Sequence, residues 1–348
     1  MKRLIAFVLC LALALSVFSG CGNAAPKETV STEPTQSPEE AAIFRVLMIG
    51  QSHAQDSVYL LYDVLKAEMP DKEFYVVDIY QPLTLEEHVA NMKKDAAVYD
   101  FIEFKDGTAN KIEGYRISVA LKQAQWDLII FNEATWPQTD EFQHTDGDMA
   151  FVKNYIKENA APGYKLAYNA TWAQPISAVY YTDESRATPP DSFYDNYLRR
   201  FGGDRRKHFG RICELMEKYE EQDPDFDYVF HSGTAIQYAS ETHGVPEADP
   251  ERKYDLYRDY THLSDFGRLI VAYQIYAQIY GLTELTEVNV DVIPAHMRAT
   301  FREKPLGDIE ITQTHKEAIM ASVNYALKNP NKAPEQVARQ EPILEPLY

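Results

Sequence analysis

Cysteine is nearly missing from this chain. Cys10 falls inside an N-terminal apolar run, Cys21 directly follows it, and Cys213 alone lies in the body. Once a leader is removed, no intrachain disulfide framework can form, and Cys213, on a helical pattern, is expected to be a small buried hydrophobe. Basic side chains are also few: 34 Lys and Arg against 53 Asp and Glu give a net charge of -19. Such a surface repels phosphate backbones, so no nucleic-acid partner is expected, and strongly acidic substrates would need a local basic patch. The one dense basic group, Arg199, Arg200, Arg205, Arg206, Lys207 and Arg211, is expected to form a solvated helix face. There is no internal repeat, no P-loop and no glycine-rich dinucleotide fingerprint. The acidic residues show no metal-ligand spacing, so no metal or organic cofactor is implied.

What remains is enough for a substantial core. The 348 residues are 45% hydrophobic, which suits one large domain or two small ones. Lys2 and Arg3, the apolar run Leu4 to Val17 and the small pair Ser19-Gly20 read as a secretory leader over residues 1–20. The run is too short for a permanent membrane-spanning helix. Val17-Phe18-Ser19-Gly20-Cys21 resembles a bacterial lipoprotein cleavage box, with Phe18 a bulky departure. That resemblance implies a lipid on Cys21, a membrane-anchored extracytoplasmic protein and a bacterial source; the other reading is an ordinary signal peptide with an incidental cysteine. Residues 21–41, rich in Pro, Ser, Thr, Ala and Glu, are expected to be a disordered tether.

From residue 42 the pattern alternates strand and helix. Strands are expected at 44–50, 74–80, 126–131, 164–170 and 227–231, and helices at 55–69, 84–98, 115–125, 145–160, 234–240, 265–280 and 312–327. A hairpin turning at Lys105-Asp106-Gly107-Thr108 is expected between 100 and 113, and one or two helices over 191–221. Residues 173–190 read as a long loop, 242–264 as irregular and 329–348 as a flexible tail. The expected fold is an α/β three-layer sandwich, its central sheet mainly parallel, roughly five-stranded and flavodoxin-like, flanked by helices over residues 42–328.

In such a sheet, ligands gather at the carboxyl ends of the strands. Ser52 follows the first strand, after Gly50-Gln51. A hydroxyl there is either a nucleophile or a helix cap. Asn132 follows the strand 126–131, and Asp259-Tyr260-Thr261-His262 precedes the helix at Asp265. An Asp and a His three residues apart can form one hydrogen-bonded unit that leaves an imidazole nitrogen free as a base; equally, they can be turn and loop residues. His88 can reach the same sheet edge or be a half-buried helix residue. Trp136, Trp172, Tyr180 and Tyr181 in the loops after strands can stack on sugar faces or simply pack.

Together these blocks resemble the SGNH-hydrolase superfamily, the GDSL-type esterases, in a poorly characterised bacterial branch. Gly50-Gln51-Ser52 matches the nucleophile block, with Asp56 and Ser57 following. Trp126 to Glu133 matches the Asn-bearing block, and Asp259-x-x-His262 with Ser264 and Gly267 the last. Asn169-Ala170-Thr171-Trp172 is similar to the corresponding strand end of this branch and of carbohydrate acetylesterases. The resemblance spans about residues 44–282.

The resemblance implies a serine esterase with Ser52 as nucleophile, His262 as base and Asp259 orienting it. Its oxyanion hole would use Ser52 N–H and Asn132. One block departs: where the superfamily supplies a glycine N–H, this chain reads Tyr80-Gln81-Pro82-Leu83-Thr84. Proline has no N–H, so that donor is lost or moves to Leu83. The expected substrate is an O-acetyl ester on an extracytoplasmic glycan, with Trp172, Tyr180, Tyr181 and His88 in contact with it. The alternative is a non-catalytic, surface-anchored glycan-binding lipoprotein on a degenerate hydrolase fold.

Overall fold

The computed structural model describes residues 43–135, 137–175, 200–242, 256–258, 261–293 and 311–335. Seven strands form one sheet: β1 Ile43–Gly50, β2 Glu73–Tyr80, β3 Tyr99–Lys105, β4 Thr108–Tyr115, β5 Leu128–Asn132, β6 Lys165–Asn169 and β7 Tyr228–Phe230. Their spatial order is β4-β3-β2-β1-β5-β6-β7. The five strands β2, β1, β5, β6 and β7 run parallel. The expected hairpin is present, but it does not stand apart: β3 pairs antiparallel with β2 and carries β4 with it, which extends the sheet from five strands to seven.

Burial alternates along β1 as period-two geometry requires. Val46 and Met48 face one apolar layer, Leu47 and Ile49 the other. The first layer is covered by α1 Ser52–Val58, α2 Leu61–Glu68, α8 Ser232–Thr242, α9 Asp265–Ile279 and α10 Gln313–Lys328. The second is covered by α3 Leu85–Lys93, α4 Ile117–Gln123, α6 Asp148–Asn159 and α7 Arg205–Lys218, with the short α5 Glu141–Thr145 leading into α6. This is the three-layer α/β sandwich that the pattern predicts.

Three local expectations change. The helix expected at 55–69 begins earlier, at Ser52, and is two helices broken at Tyr59–Leu60. The basic cluster is a solvated face only in part: Arg200 and Lys207 are exposed, but Arg205 is buried and its guanidinium donates to the Tyr257 hydroxyl at 2.9 Å, while Arg200, Arg206 and Arg211 pair with Asp140, Glu241 and Glu214. Arg199 lies outside the described residues. Residues 329–335, expected in the loose tail, are fastened down: Asn331 donates from its backbone to Thr234 and from its side chain to Glu221, and Arg206 donates to the Pro334 carbonyl.

Chain order places the site. From β1 the chain moves to β2 on one side, then crosses to β5 on the other. The carboxyl end of β1 is therefore a topological switch point, where open parallel sheets form a crevice. Gly50 ends β1 between Tyr80 of β2 and Asn132 of β5. A side chain at 50 would not fit: a Cβ there would lie 2.5 Å from the Asn132 carbonyl oxygen and 2.7 Å from the Ala54 Cβ. Glycine lets α1 start immediately against β5 and sets Ser52 in the crevice.

Candidate active site

Ser52 is the first residue of α1, and the N-cap position falls to Gln51, which has extended backbone and no capping side-chain bond. The Ser52 hydroxyl is thus free of capping duty. Its Oγ lies 2.7 Å from Nε2 of His262, across 210 residues of sequence, and 2.9 Å from Oε1 of the buried Gln51. The hydroxyl carries one proton and has two acceptors in reach. The shorter contact is the nucleophile–base geometry of serine hydrolases.

Three sets of contacts hold His262. The first runs through Asp56, one turn beyond Ser52 on α1. Its Oδ2 accepts from the Leu263 backbone N–H at 2.9 Å, and its Oδ1 accepts from Arg258 at 2.8 Å and from Arg268 Nε and Nη2 at 2.9 and 2.8 Å. Arg268 also donates to Asp265 at 2.8 Å and lies 4.2 Å over the Tyr59 ring. Burial alone would raise the Asp56 carboxyl, but the two guanidiniums and the nearby His262 outweigh it and hold it below the usual carboxylate range. The same carboxylates hold the buried Arg268 firmly charged, raising it against its own burial.

The second set is His53, fully buried beside Ser52. Its Nε2 meets the hydroxyls of Thr261 and Thr135, each at 3.1 Å, and its Nδ1 meets the Gln51 amide at 2.9 Å. The third is Trp172, whose indole N–H donates to the Thr261 carbonyl at 2.9 Å and whose own carbonyl accepts from Thr135 at 3.1 Å. The expected role of Trp172 as a sugar platform is overturned: the side chain is fully buried, its ring 4.9 Å from that of His53, and no saccharide can reach its face. It fixes the loop that carries His262. Where His262 turns into α9, Ser264 caps the helix by accepting from Gly267 N–H at 3.2 Å.

Asn132 sits at the neighbouring strand end, buried, and its Nδ2 donates to the Asn169 carbonyl at 2.7 Å. Asn169 in turn donates to Ser57 at 2.8 Å and accepts from Ser232 at 2.6 Å, tying β6 to α1 and α8. Leu83 lines a narrow cleft with Gln51, His88, Asn132 and Glu133, but its N–H already donates to the Gln81 carbonyl at 2.8 Å. Pro82 is exposed. Asp259, Trp136, Tyr180, Tyr181 and Cys21 lie outside the described residues. Among the described residues no group of three or more His, Cys, Asp and Glu is arranged to hold a metal ion, and no helix is long and apolar enough to cross a membrane. Cys213 is buried and free, and burial raises its thiol far above the ordinary range.

Nothing in the sequence marks Gln51, His53, Arg258 and Arg268 as site residues. Asp56 stands out only as part of its motif. The available signal was its spacing, four residues after Ser52 and so on the same helix face, with an arginine on each side of His262.

The three-layer α/β fold thus carries a serine–histidine pair at its switch point. The chain belongs to the family described as Domain of unknown function (DUF4886), which matches residues 45–291. Among solved structures, a DUF4886 family protein from Bacteroides uniformis is 22% identical, with 84% of this chain and 98% of that one covered and a TM-score of 0.63. That likeness bears on the fold. A candidate SGNH hydrolase from Slackia heliotrinireducens (16% identical, 68% and 99% covered, TM-score 0.40) is more distant. So is a gut microbial diltiazem-metabolizing enzyme (10% identical, 67% and 46% covered, TM-score 0.37). No curated protein matches the chain.

Proposed function

We propose that this protein is a serine esterase of the SGNH type. The observation that carries the reading is the 2.7 Å approach of Ser52 Oγ to His262 Nε2 at the sheet's switch point. In this reading His262 removes the hydroxyl proton as Ser52 attacks an ester carbonyl. Asp259 orients the imidazole and stabilises its cation. His262 then returns the proton to the leaving alcohol, and water, activated by the same imidazole, releases the acid from Ser52. The proposed substrate is an O-acetyl ester on an extracytoplasmic glycan, with Tyr180 and Tyr181 against the sugar and a lipid on Cys21 holding the enzyme at the membrane. The leader pattern over residues 1–20 and the Tyr180-Tyr181 pair in the sequence after β6 support that choice.

The test is direct. A fluorophosphonate probe labels the wild-type protein, and Ser52→Ala abolishes the labelling together with acetate release from acetylated xylan. Absence of both in the wild type refutes the esterase. A second reading, a glycan-binding lipoprotein without turnover, is favoured by one observation: Pro82 has no N–H and the Leu83 N–H is already donated to Gln81. Glycan binding by the wild type, with neither labelling nor acetate release, supports it.

A further inference from the structure

The cleft beside the nucleophile contains a donor that the expected oxyanion hole lacks. His88, on α3, lines this cleft with Gln51, Leu83, Thr84, Asn132 and Glu133. Its side chain is almost fully buried. Nδ1 lies 3.1 Å from the Tyr99 hydroxyl, and the two rings stack at 16° with centroids 5.6 Å apart. Tyr99 is not part of the cleft lining. Nε2, the other nitrogen, has no hydrogen-bond partner among the described residues. A buried imidazole nitrogen in that condition is rare in native proteins and calls for a reason.

The tautomer follows from the groups around Tyr99. Burial pushes the Tyr99 phenol up, so its hydroxyl keeps its proton. That proton has His88 Nδ1 as its acceptor, 3.1 Å away. The proton of neutral His88 then resides on Nε2. Burial keeps the ring neutral, drawing its pKa down to about 4. A neutral imidazole N–H is a proven kind of electrophile for a carbonyl oxygen.

The neighbouring donors make this position matter. Pro82 has no N–H, the Leu83 N–H serves Gln81, and Asn132 Nδ2 serves Asn169. Building on the esterase reading, we infer that His88 Nε2–H is an oxyanion-hole donor, contacting the carbonyl oxygen of the bound ester in place of the missing glycine N–H. As Ser52 Oγ adds to the carbonyl carbon, the C=O π pair moves onto that oxygen. The Nε2–H bond strengthens with the charge, so its effect is on the transition state. His88 would be a catalytic residue, and Tyr99 a positioning residue that locks its tautomer.

The experiment uses the full chain with p-nitrophenyl acetate as probe, comparing wild type, Ser52→Ala, His88→Ala, His88→Phe, His88→Gln and Tyr99→Phe. His88→Ala and His88→Phe are expected to lose about 10²–10³-fold in kcat with little change in KM. His88→Gln, which keeps an N–H near the Nε2 position, recovers part of that loss, and Tyr99→Phe, which frees the tautomer, loses a smaller part. Thermal unfolding of each variant separates catalysis from collapse of the fold, and His88→Gln keeps the test readable if the smaller replacement unfolds. Wild-type hydrolysis that depends on Ser52 but survives His88→Phe unchanged, or a rise in KM alone, overturns the assignment and leaves the esterase standing. Wild-type hydrolysis indifferent to Ser52→Ala overturns both.

Discussion

Asp56 lies one helical turn after Ser52, and its carboxylate grips the Leu263 N–H and the Arg258 guanidinium on either side of His262. Ser52 and the anchor of His262 therefore ride on the same short helix, and their separation is fixed by α1 rather than by a flexible loop. Asp56→Ala would take from the buried Arg268 one of its carboxylate partners and strand the Leu263 N–H. Removing one member of a buried ion-pair network costs about 3–5 kcal/mol. Denaturant unfolding is expected to show that loss, and kcat to fall as His262 drifts from Ser52. Because the Asp56 carboxyl is held below its ordinary range, its contribution is fully present above the unfolded-state value and is lost as pH falls through the folded-state one. The acid limb of the wild-type stability curve is thus steeper than that of Asp56→Asn. Equal acid limbs would show that Asp56 is not the group responsible.

Trp172 separates a structural from a saccharide-binding aromatic. Trp172→Phe keeps most of the buried volume but takes the indole N–H away from the Thr261 carbonyl. An unsatisfied buried carbonyl costs roughly 1–3 kcal/mol. Lower stability is expected together with reduced kcat on small and polymeric esters alike, because the loop bearing His262 loosens for both. An increase in KM confined to the polymer would instead mean that the ring meets sugar.

Gly50 gives a sharper steric test. Gly50→Ala drives a methyl group toward the Asn132 carbonyl oxygen and Ala54, both under 3 Å from the ideal Cβ position. Overpacking of this kind costs typically about 1–3 kcal/mol. Relief comes from separating α1 from β5, which moves Ser52 away from Asn132. The expected result is a drop in thermal midpoint with a disproportionate fall in kcat; a variant as stable and active as wild type would show that the switch point is looser than its geometry implies.

The parallel core was legible because its strands carry unbroken apolar, β-branched runs such as Val46-Leu47-Met48-Ile49, and because each ends in a residue of distinct chemistry. Ser52 and His262 could be paired in advance from those strand ends and from the last block. The start of α1 was not legible. Gln51 to Gln55 shows no apolar period, and His53 is buried where Thr135, Trp172 and Thr261 come to meet it from remote segments. The hairpin was visible as a local unit, but its pairing with β2 is a tertiary choice that no local pattern encodes. Trp172 misled for a related reason: an aromatic in a loop after a strand reads the same whether its face meets solvent or His53.

Glu133 directly follows Asn132, and its carboxyl is buried against Tyr168, whose hydroxyl donates to Oε2 at 3.0 Å. Burial drives it upward; the nearby His144 and the Tyr168 bond oppose this and Glu220 reinforces it, leaving the group at about 7. The sign of the consequence is fixed by linkage. Between the ordinary carboxyl range and pH 7 the folded chain holds a proton that the unfolded chain has released, so stability falls as pH rises across that window. The total is roughly 3 kcal/mol, from the size of the shift at 1.36 kcal/mol per pH unit. Glu133→Gln removes the titration while keeping an oxygen for Tyr168. Denaturant unfolding at pH 4 should find its stability relative to wild type at a baseline. By pH 8 that relative stability should have risen by roughly 3 kcal/mol, with most of the gain made between pH 5 and 7. A difference that stays constant across this range would mean that Glu133 ionises in the fold as it does in the open chain, and that the loop after β5 carries its charge at no cost.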